Sequence, residues 1–256
     1  MDYLDAEKVV RSDAIEALHS FDYLNEMPGY IRQPPSVRHT ARKSYAFENI
    51  IVCAGGRRDS TSASLMDNAE YFNPRTSKWK CLARLPDSAA KGGLAIINNV
   101  LFLCGGIIGQ QDTDVTIATD LAFCYQPTSD IWIELPKMPT ARYRASACVG
   151  SDGWIYVIGR CAGSPVTALS CVEAFHPRTK RWAKKCAVSR PAYSSKACCY
   201  GDKIYVLGGY SRITQKVMEV YDVFANTWVT MESQMATPRW GMCCAADIPK
   251  DSGEQL

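Results

Sequence analysis

The chain has 256 residues and is 47% apolar, which allows one large all-β domain or two ordinary domains with a continuous core. Its formal net charge of +3 comes from residues spread along the sequence, so we expect no nucleic-acid or phosphate binding. No apolar stretch approaches the roughly 20 residues that cross a bilayer, and the N-terminus has no signal-peptide pattern. The sequence therefore predicts no membrane association and a cytoplasmic location, with the nucleus as an alternative.

Residues 1–43 differ in composition from the rest of the chain. Asp13 and Glu16 have the spacing of a helix N-cap and its third-position partner, and Ala14, Leu18 and Phe21 form one apolar stripe. This pattern predicts a short amphipathic helix and a linker ahead of a repeat domain at 44–247. Residues 248–256 leave the repeat pattern and are expected to form a tail.

An aromatic residue is followed seven positions later by tryptophan four times in the repeat domain. The pairs are Phe72 and Trp79, Tyr125 and Trp132, Phe175 and Trp182, and Tyr221 and Trp228. Each pair follows an apolar run that ends in glycine: Ile50 to Gly56, Val100 to Gly106, Trp154 to Gly159, and Ile204 to Gly209. A period near fifty residues predicts a radial array of small sheets that bury their faces against each other.

Each unit reads as four short strands, which is typical of a propeller blade. The second unit illustrates this with Gly92 to Asn98, Val100 to Gly106, Leu121 to Tyr125 and Trp132 to Leu135. In every unit the second strand is a continuous apolar run, as expected for a strand covered on both faces by neighbouring blades. We place the repeats near 48–91, 92–143, 144–194 and 195–239, with a partial fifth from 240.

Two sets of residues are expected to serve the scaffold alone. Glycine at the end of the second strand allows a sharp turn and a close approach of backbone, and the aromatic and tryptophan rings can pack between blades. The glycines are Gly55, Gly56, Gly105, Gly106, Gly159, Gly208 and Gly209, and the third unit has Gly159-Arg160 in place of a glycine pair.

These features together resemble the Kelch repeat. The similarity includes Met138-Pro139-Thr140-Ala141-Arg142 and Met235-Ala236-Thr237-Pro238-Arg239, which lead into the next unit, and covers roughly residues 48–247. It implies an all-β Kelch-type propeller with four recognisable four-stranded blades. Such proteins usually have six repeats, so we expect an incomplete ring.

The stretch Trp240 to Ala246 has the pattern of the first strand of a fifth unit. Alternatively, it could complete the first blade and close a four-bladed ring.

The N-terminal segment resembles the end of a BACK domain in Kelch-like proteins. The similar residues are Lys8 to Asp13, the predicted helix, and Gln33 to Arg38. In that family a BTB domain recruits a cullin scaffold, and the propeller presents a protein substrate for ubiquitination. The resemblance implies a substrate-recognition module of a cullin-RING ubiquitin ligase adaptor. Without a BTB domain, we expect this chain to bind substrate and to reach a cullin only as part of a longer form. An actin-binding or cytoskeletal Kelch protein is the alternative.

Two classes of loop at one end of the predicted propeller contain the candidate binding residues: the variable loops after the glycine pairs, which differ from unit to unit, and the loops that lead into the first, inner strand of each unit. Arginine and tyrosine combine contact area with directed hydrogen bonds, and arginine can bind a carboxylate through two bonds, so an acidic protein or peptide is the expected partner. A competing interpretation is that Arg142, Arg190 and Arg239 recur with the repeat and brace a turn. The candidates are Arg142, Tyr143, Arg144, Arg190, Tyr193, Tyr210, Arg212 and Trp240.

An enzymatic role is not expected. The three histidines are His19, His39 and His176, and only the last lies in the repeats, which disfavours a metal or acid–base site. The twelve cysteines lie mostly in apolar strand runs and are expected to be reduced thiols, with no metal and no cofactor. Cys161 follows Arg160 in a variable loop, so a reactive thiolate is one interpretation and an ordinary thiol the other.

Overall fold

The computed structural model describes residues 50–58, 65–87, 89–98, 100–109, 116–159, 161–162, 167–168 and 170–242, together with residues 244 and 246. All regular structure in these residues is β, which confirms the predicted fold class. The predicted helix and BACK-like segment at 1–43 and the tail at 248–256 lie outside the described residues.

The described part of the chain contains twenty-two strands. They are β1 (Ile51–Ala54), β2 (Ala69–Asn73), β3 (Lys78–Leu82), β4 (Ala89–Ala90), β5 (Gly93–Ile97), β6 (Val100–Cys104), β7 (Ile107–Gly109), β8 (Thr116–Ala118), β9 (Ala122–Gln126), β10 (Ile131–Glu134), β11 (Ser146–Val149), β12 (Ile155–Ile158), β13 (Cys161–Ala162), β14 (Thr167–Ala168), β15 (Val172–His176), β16 (Arg181–Lys185), β17 (Lys196–Tyr200), β18 (Lys203–Leu207), β19 (Tyr210–Ser211), β20 (Ile213–Thr214), β21 (Met218–Asp222) and β22 (Thr227–Thr230).

The strands form four blades with antiparallel pairing throughout. Blade 1 contains β1, β2 and β3, and blades 2, 3 and 4 each contain four strands in the order β5-β6-β9-β10, β11-β12-β15-β16 and β17-β18-β21-β22. The strand boundaries in the second unit agree with those predicted to within two residues. The repeat pattern therefore predicted the blade correctly.

The second strands differ in how well they are covered. In blade 3 all four residues of β12 are at most 1% exposed, with Ile155 and Val157 packed in the core toward blade 2, and Tyr156 and Ile158 in the core toward blade 4. This alternation follows from the period of two along a strand. In blade 1, however, Ile51 is 57% exposed. The prediction that this strand is covered on both faces is wrong for blade 1, because no other described blade packs on that face.

The aromatic and tryptophan pairs pack as predicted and also connect adjacent blades. The ring centroids of the four pairs lie 5.0 to 5.3 Å apart. Trp132, Trp182 and Trp228 each donate an indole N–H to a carbonyl of the preceding blade, over 2.9, 2.7 and 2.8 Å. Trp79, in blade 1, is 53% exposed. The tryptophans are therefore scaffold residues where a preceding blade is present.

The variable loops contain β-structure that sequence reasoning missed. Strands β7 and β8 form a small sheet with β4, and β13-β14 and β19-β20 form two-stranded hairpins. Strands of two or three residues are too short to show an alternating pattern, so they were interpreted as plain loops.

The predicted fifth-unit strand at Trp240 to Ala246 is not present in the described residues of that stretch, which lie in bends and irregular structure. A strand requires a hydrogen-bonded partner, and no described strand pairs with this segment. Among residues 240–242, 244 and 246, neither a fifth inner strand nor closure of blade 1 is seen.

Candidate protein-binding surface

The loops that enter the inner strands share one backbone conformation. Lys91, Arg144, Ser194 and Gly241 all have a positive φ, of 59°, 56°, 55° and 66°. The N–H of Arg144 donates to the carbonyl of Lys91 over 2.9 Å, that of Ser194 to Arg144 over 3.3 Å, and that of Gly241 to Ser194 over 2.9 Å. Four equivalent loops are thus linked side by side, so the side chains on them lie along one surface.

Arg144 lies beside two tyrosine rings on this surface. Its guanidinium carbon is 5.7 Å from the Tyr143 ring centroid and 5.8 Å from that of Tyr193, which is within the range of a cation–π interaction. The Tyr193 ring is 5.4 Å from the Tyr210 ring, and the Tyr210 ring is 6.0 Å from Trp240. We call the side chains of Tyr143, Arg144, Tyr193, Tyr210 and Trp240 the Arg144 surface.

The backbone fixes part of this arrangement. Tyr193 and Tyr210 exchange two hydrogen bonds, from the N–H of Tyr193 to the carbonyl of Tyr210 over 3.1 Å and in reverse over 2.9 Å. Because Tyr193 belongs to an entry loop and Tyr210 begins the β19-β20 hairpin, this pair joins the two predicted classes of binding loop. The sequence suggested both loop classes but could not show that they touch here.

The exposure of these side chains allows contact with a partner. Tyr143, Arg144, Tyr193 and Tyr210 are half-buried, whereas Trp240 is 51% exposed. No carboxylate among the described residues forms an ion pair with Arg144. Aromatic faces next to a guanidinium suit a ligand that carries a carboxylate next to an apolar group.

Arg142 does not belong to the binding surface, which corrects the sequence prediction. Its side chain is 0% exposed and forms an ion pair with Glu173, with Nη2 2.7 Å from Oε2. Its Nη1 donates to the carbonyl of Val157 over 3.1 Å, and the hydroxyl of Thr140 donates to Oε1 of Glu173 over 2.5 Å. Arg142 therefore connects its entry loop to blade 3, as the competing interpretation proposed.

The expected recurrence of Arg142, Arg190 and Arg239 is wrong for Arg190. The carbonyls of Ala89, Arg142 and Arg239 accept the N–H of Gly56, Gly106 and Gly209 over 2.7, 2.7 and 2.9 Å, which identifies these three as one repeat position. In the remaining loop that position is Ala192, two residues before Ser194, just as Arg142 is two residues before Arg144. Arg190 is exposed and lies outside the repeat.

Two further arginines, of which only Arg212 is a predicted binding residue, are exposed but outside the Arg144 surface. Arg239 repeats the local geometry of Arg142, because the Nε of Arg142 donates to the carbonyl of Thr140 over 3.3 Å and that of Arg239 to the carbonyl of Thr237 over 3.4 Å, yet the Arg239 side chain is exposed. Arg212 lies in the β19-β20 turn with a φ of 61° and is also exposed. A binding role for Arg190 and Arg212 stays a prediction.

Buried cysteines have raised pKa values. Burial raises the pKa of the Cys104 thiol to about 12 and that of Cys124 to about 11, and it also raises the pKa of Cys148. Within the described residues there is no cluster of three or more His, Cys, Asp or Glu side chains arranged to bind a metal ion. Cys161 lies in β13, and its redox role stays a prediction.

We expect native alkylation to separate the thiols. At pH 8 the thiolate fraction is on the order of 10⁻⁴ for Cys104 and 10⁻³ for Cys124. In iodoacetamide labelling followed by peptide mass spectrometry, the exposed Cys53, Cys81 and Cys186 should react first, while Cys104 and Cys124 should react only as the chain unfolds. Equal rates in the native state would contradict the burial of these thiols.

The described residues contain no helix that is long and apolar enough to cross a membrane.

Comparisons with known proteins identify the repeat. The Kelch motif matches residues 46–86, 92–139 and 191–235, and a second Kelch motif description matches 141–189. The solved structure entitled "Structure of YjhT" matches with a TM-score of 0.61 and 16% identity over 73% of this chain and 67% of that chain, which supports the fold alone.

Curated relatives share the same repeat. Kelch-like protein 36 of Mus musculus is 28% identical over 193 residues, covering 72% of this chain and 30% of the relative. Kelch repeat and BTB domain-containing protein 13 of Homo sapiens is 28% identical over 205 residues, covering 79% of this chain and 42% of the relative. Kelch repeat and BTB domain-containing protein 1 of Cowpox virus is 26% identical over 197 residues, covering 76% of this chain and 33% of the relative.

The chain thus spans less than half the length of these relatives. Its motif matches cover more than half of its own length, in the same four units that the strands form. The chain belongs to the Kelch-repeat family and is homologous to Kelch-like proteins of the BTB-Kelch type.

Proposed function

We propose that this chain is a protein-interaction propeller that captures an acidic segment of a partner protein on the Arg144 surface. The observation that carries the proposal is the placement of Arg144 between Tyr143 and Tyr193, in line with Tyr210 and Trp240. Rigid blades support these loops, and binding residues are commonly found on loops that a scaffold positions.

The chemistry of the surface favours an acidic segment with an apolar or aromatic neighbour. A carboxylate can accept two parallel N–H bonds from the Arg144 guanidinium, and charge assistance makes such bonds stronger than neutral ones. Tyr193, Tyr210 and Trp240 offer large contact areas that cost little side-chain entropy on binding. A segment that combines both features would use the whole surface.

The binding test uses peptides selected on the chain itself. A displayed random peptide library should yield acidic peptides, and their Kd should rise by about tenfold or more in Arg144→Ala and in Tyr193→Ala. Lys91→Ala is the matched control, because Lys91 has the same positive φ in the equivalent loop but is not part of the Arg144 surface. It should bind as the unsubstituted chain does, and all three variants should keep a nearly unchanged Tm.

The proposal fails if the selected peptides carry no acidic residues, or if Arg144→Ala and Tyr193→Ala bind them as tightly as Lys91→Ala does. Co-sedimentation with actin filaments tests the cytoskeletal alternative directly. Binding to the filaments in preference to acidic peptides would favour that alternative. Either result would move the binding site away from the Arg144 surface.

In the cell, we propose, such capture serves substrate recognition for a cullin-RING ubiquitin ligase. The support is homology to Kelch repeat and BTB domain-containing proteins. The resemblance to Kelch-like adaptors implies that the BTB domain recruits the cullin. In this division of roles the repeats bind substrate, a cullin is reached only through a BTB domain in a longer form, and the propeller alone would compete with full-length adaptors for substrate. Co-precipitation of a cullin by this chain alone would contradict that division of roles.

A further inference from the structure

One position at the interface between successive blades differs in chemistry from unit to unit. It pairs the entry-loop residue of the repeat with the residue of the third strand that lies opposite the centre of the second strand. These residues are Ala89 and Phe123 in blade 2, Arg142 and Glu173 in blade 3, and Ala192 and Glu219 in blade 4. The first combination is apolar and the second is an ion pair. The third combines an acid with an alanine.

Glu219 is in the same environment as Glu173 except for its cation. It is 5% exposed, and its Oε1 accepts the hydroxyl and, over 3.1 Å, the N–H of Ser189, much as Oε1 of Glu173 accepts the hydroxyl of Thr140. Oε2 of Glu173 faces Arg142 at 2.7 Å. Among the described residues no Lys, Arg or His nitrogen lies within 4.0 Å of the Glu219 carboxylate.

A small pocket lies where the missing arginine side chain would be. Its empty volume of about 370 Å³ includes open solvent and the enclosed cavity is only about 20 Å³, so a side chain can enter only from the open side. Ala192, Val206, Val217 and Glu219 line it, and these match the positions of Arg142, Val157, Cys171 and Glu173, which are the residues of the buried arginine network in blade 3. A buried carboxylate is stable only when a cation or several hydrogen bonds compensate its charge.

We propose that the Glu219 pocket binds the guanidinium of an arginine side chain from a protein partner. Its lining residues occupy the positions whose acceptors bind Arg142 inside the protein, namely a buried glutamate, a residue of the second strand and the residue before the third strand. A planar guanidinium suits this set better than an ammonium, because its fork of N–H donors can reach a carboxylate and a carbonyl together. This site is additional to the Arg144 surface and does not depend on it.

Arg190 also lines the pocket and could itself neutralise Glu219 if its exposed side chain turned inward. In the structure it makes no ion pair with Glu219. If Arg190 were the intended partner, its removal would lower the Tm and would leave a probe more room to bind. If the partner is external, Arg190→Ala should leave the Tm nearly unchanged and leave probe binding unchanged or tighter, because it removes a like charge.

In the first test the full chain is titrated with N-acetyl-L-argininamide, and binding is measured by calorimetry or by the rise in Tm. The neutral isostere N-acetyl-L-citrullinamide and the ammonium analogue N-acetyl-L-lysinamide are the controls. We expect saturable binding of the arginine probe, at least about tenfold weaker binding of both controls, and the same loss in Glu219→Gln. Arg144→Ala should bind the probe as the unsubstituted chain does, which separates this site from the proposed function.

A second test builds the missing arginine into the chain. Ala192→Arg should raise the Tm by roughly 2 to 4 °C and abolish probe binding, and the gain in Tm should disappear in the double variant with Glu219→Gln. No saturable binding of the arginine probe, equal binding of the citrulline probe, or a lower Tm in Ala192→Arg would overturn the proposal. Binding of free arginine without binding of the capped probe would point to a metabolite and would overturn the assignment to a partner's side chain.

Discussion

Replacing Arg142 with alanine is expected to lower the free energy of unfolding by about 3 to 5 kcal/mol, the typical cost of removing one partner from a buried ion pair. The substitution would leave the Glu173 carboxylate buried without its cation, and it would also remove the hydrogen bond to the Val157 carbonyl. Denaturant unfolding followed by tryptophan fluorescence measures the effect.

Arg239→Ala is the matched control for this prediction. Arg239 occupies the same repeat position and makes the same local bond to a loop carbonyl, but its side chain is exposed and has no glutamate partner among the described residues. It should change the unfolding free energy little. Similar losses in the two variants would mean that the loop bond, and not the buried ion pair, stabilises this position.

Replacing Phe175 with alanine is expected to cost about 3 to 5 kcal/mol, as is typical of a large buried ring in a core that cannot collapse around the cavity. Phe175 is 1% exposed, packs 5.1 Å from Trp182 and 6.3 Å from Phe102 of the neighbouring blade, and belongs to the core between blades 2 and 3. The loss should appear in the midpoint of denaturant unfolding with an unchanged slope.

Phe72→Ala provides the comparison within the repeat. Phe72 has the same place in blade 1 and contacts Trp79 at 5.3 Å, but it is half-buried and its tryptophan is 53% exposed. We expect a clearly smaller loss than for Phe175→Ala. Equal losses would show that blade 1 is covered in solution as fully as blade 3 is.

The fold was predictable from sequence because the repeat restates one pattern four times. A strand that is buried on both faces reads as a continuous apolar run, and the seven-residue spacing from aromatic to tryptophan corresponds to a hairpin in which the two residues are directly opposite, as Phe175 and Trp182 are. The burial of individual strands was less predictable. Ile51 lies in as apolar a run as Ile155, yet only the latter is covered on both sides, and this depends on neighbours that the local sequence does not specify.

The candidate site was predicted in part. Tyr143, Arg144, Tyr193 and Trp240 lie together because their entry loops are repeats of one backbone turn, and Tyr210 joins them because it pairs with Tyr193. The assignment of individual arginines was not reliable from sequence. Arg142 and Arg144 are two residues apart and chemically identical, yet one is buried in an ion pair and the other is half-buried between tyrosines. The difference depends on Glu173, which lies 31 positions further along the chain.

The Glu219 pocket was not predictable from sequence either. Arg190 lies near Ala192 in the sequence and was aligned with Arg142, although Ala192 occupies that repeat position. Backbone hydrogen bonds and positive φ angles at Arg144 and Ser194 set the true register. In this register Glu219 is equivalent to Glu173, and Ala192 stands where Arg142 would pair with it.

The most direct test measures stability and peptide binding on the same two variants, Arg142→Ala and Arg144→Ala. Arg142 belongs to the scaffold, and Arg144 is proposed to bind the partner. We therefore expect that Arg142→Ala loses unfolding free energy but keeps the Kd of the unsubstituted chain at temperatures where it is folded. Arg144→Ala should lose affinity by about tenfold or more while keeping its unfolding free energy. Loss of both properties in both variants, or unchanged affinity in Arg144→Ala, would contradict the account.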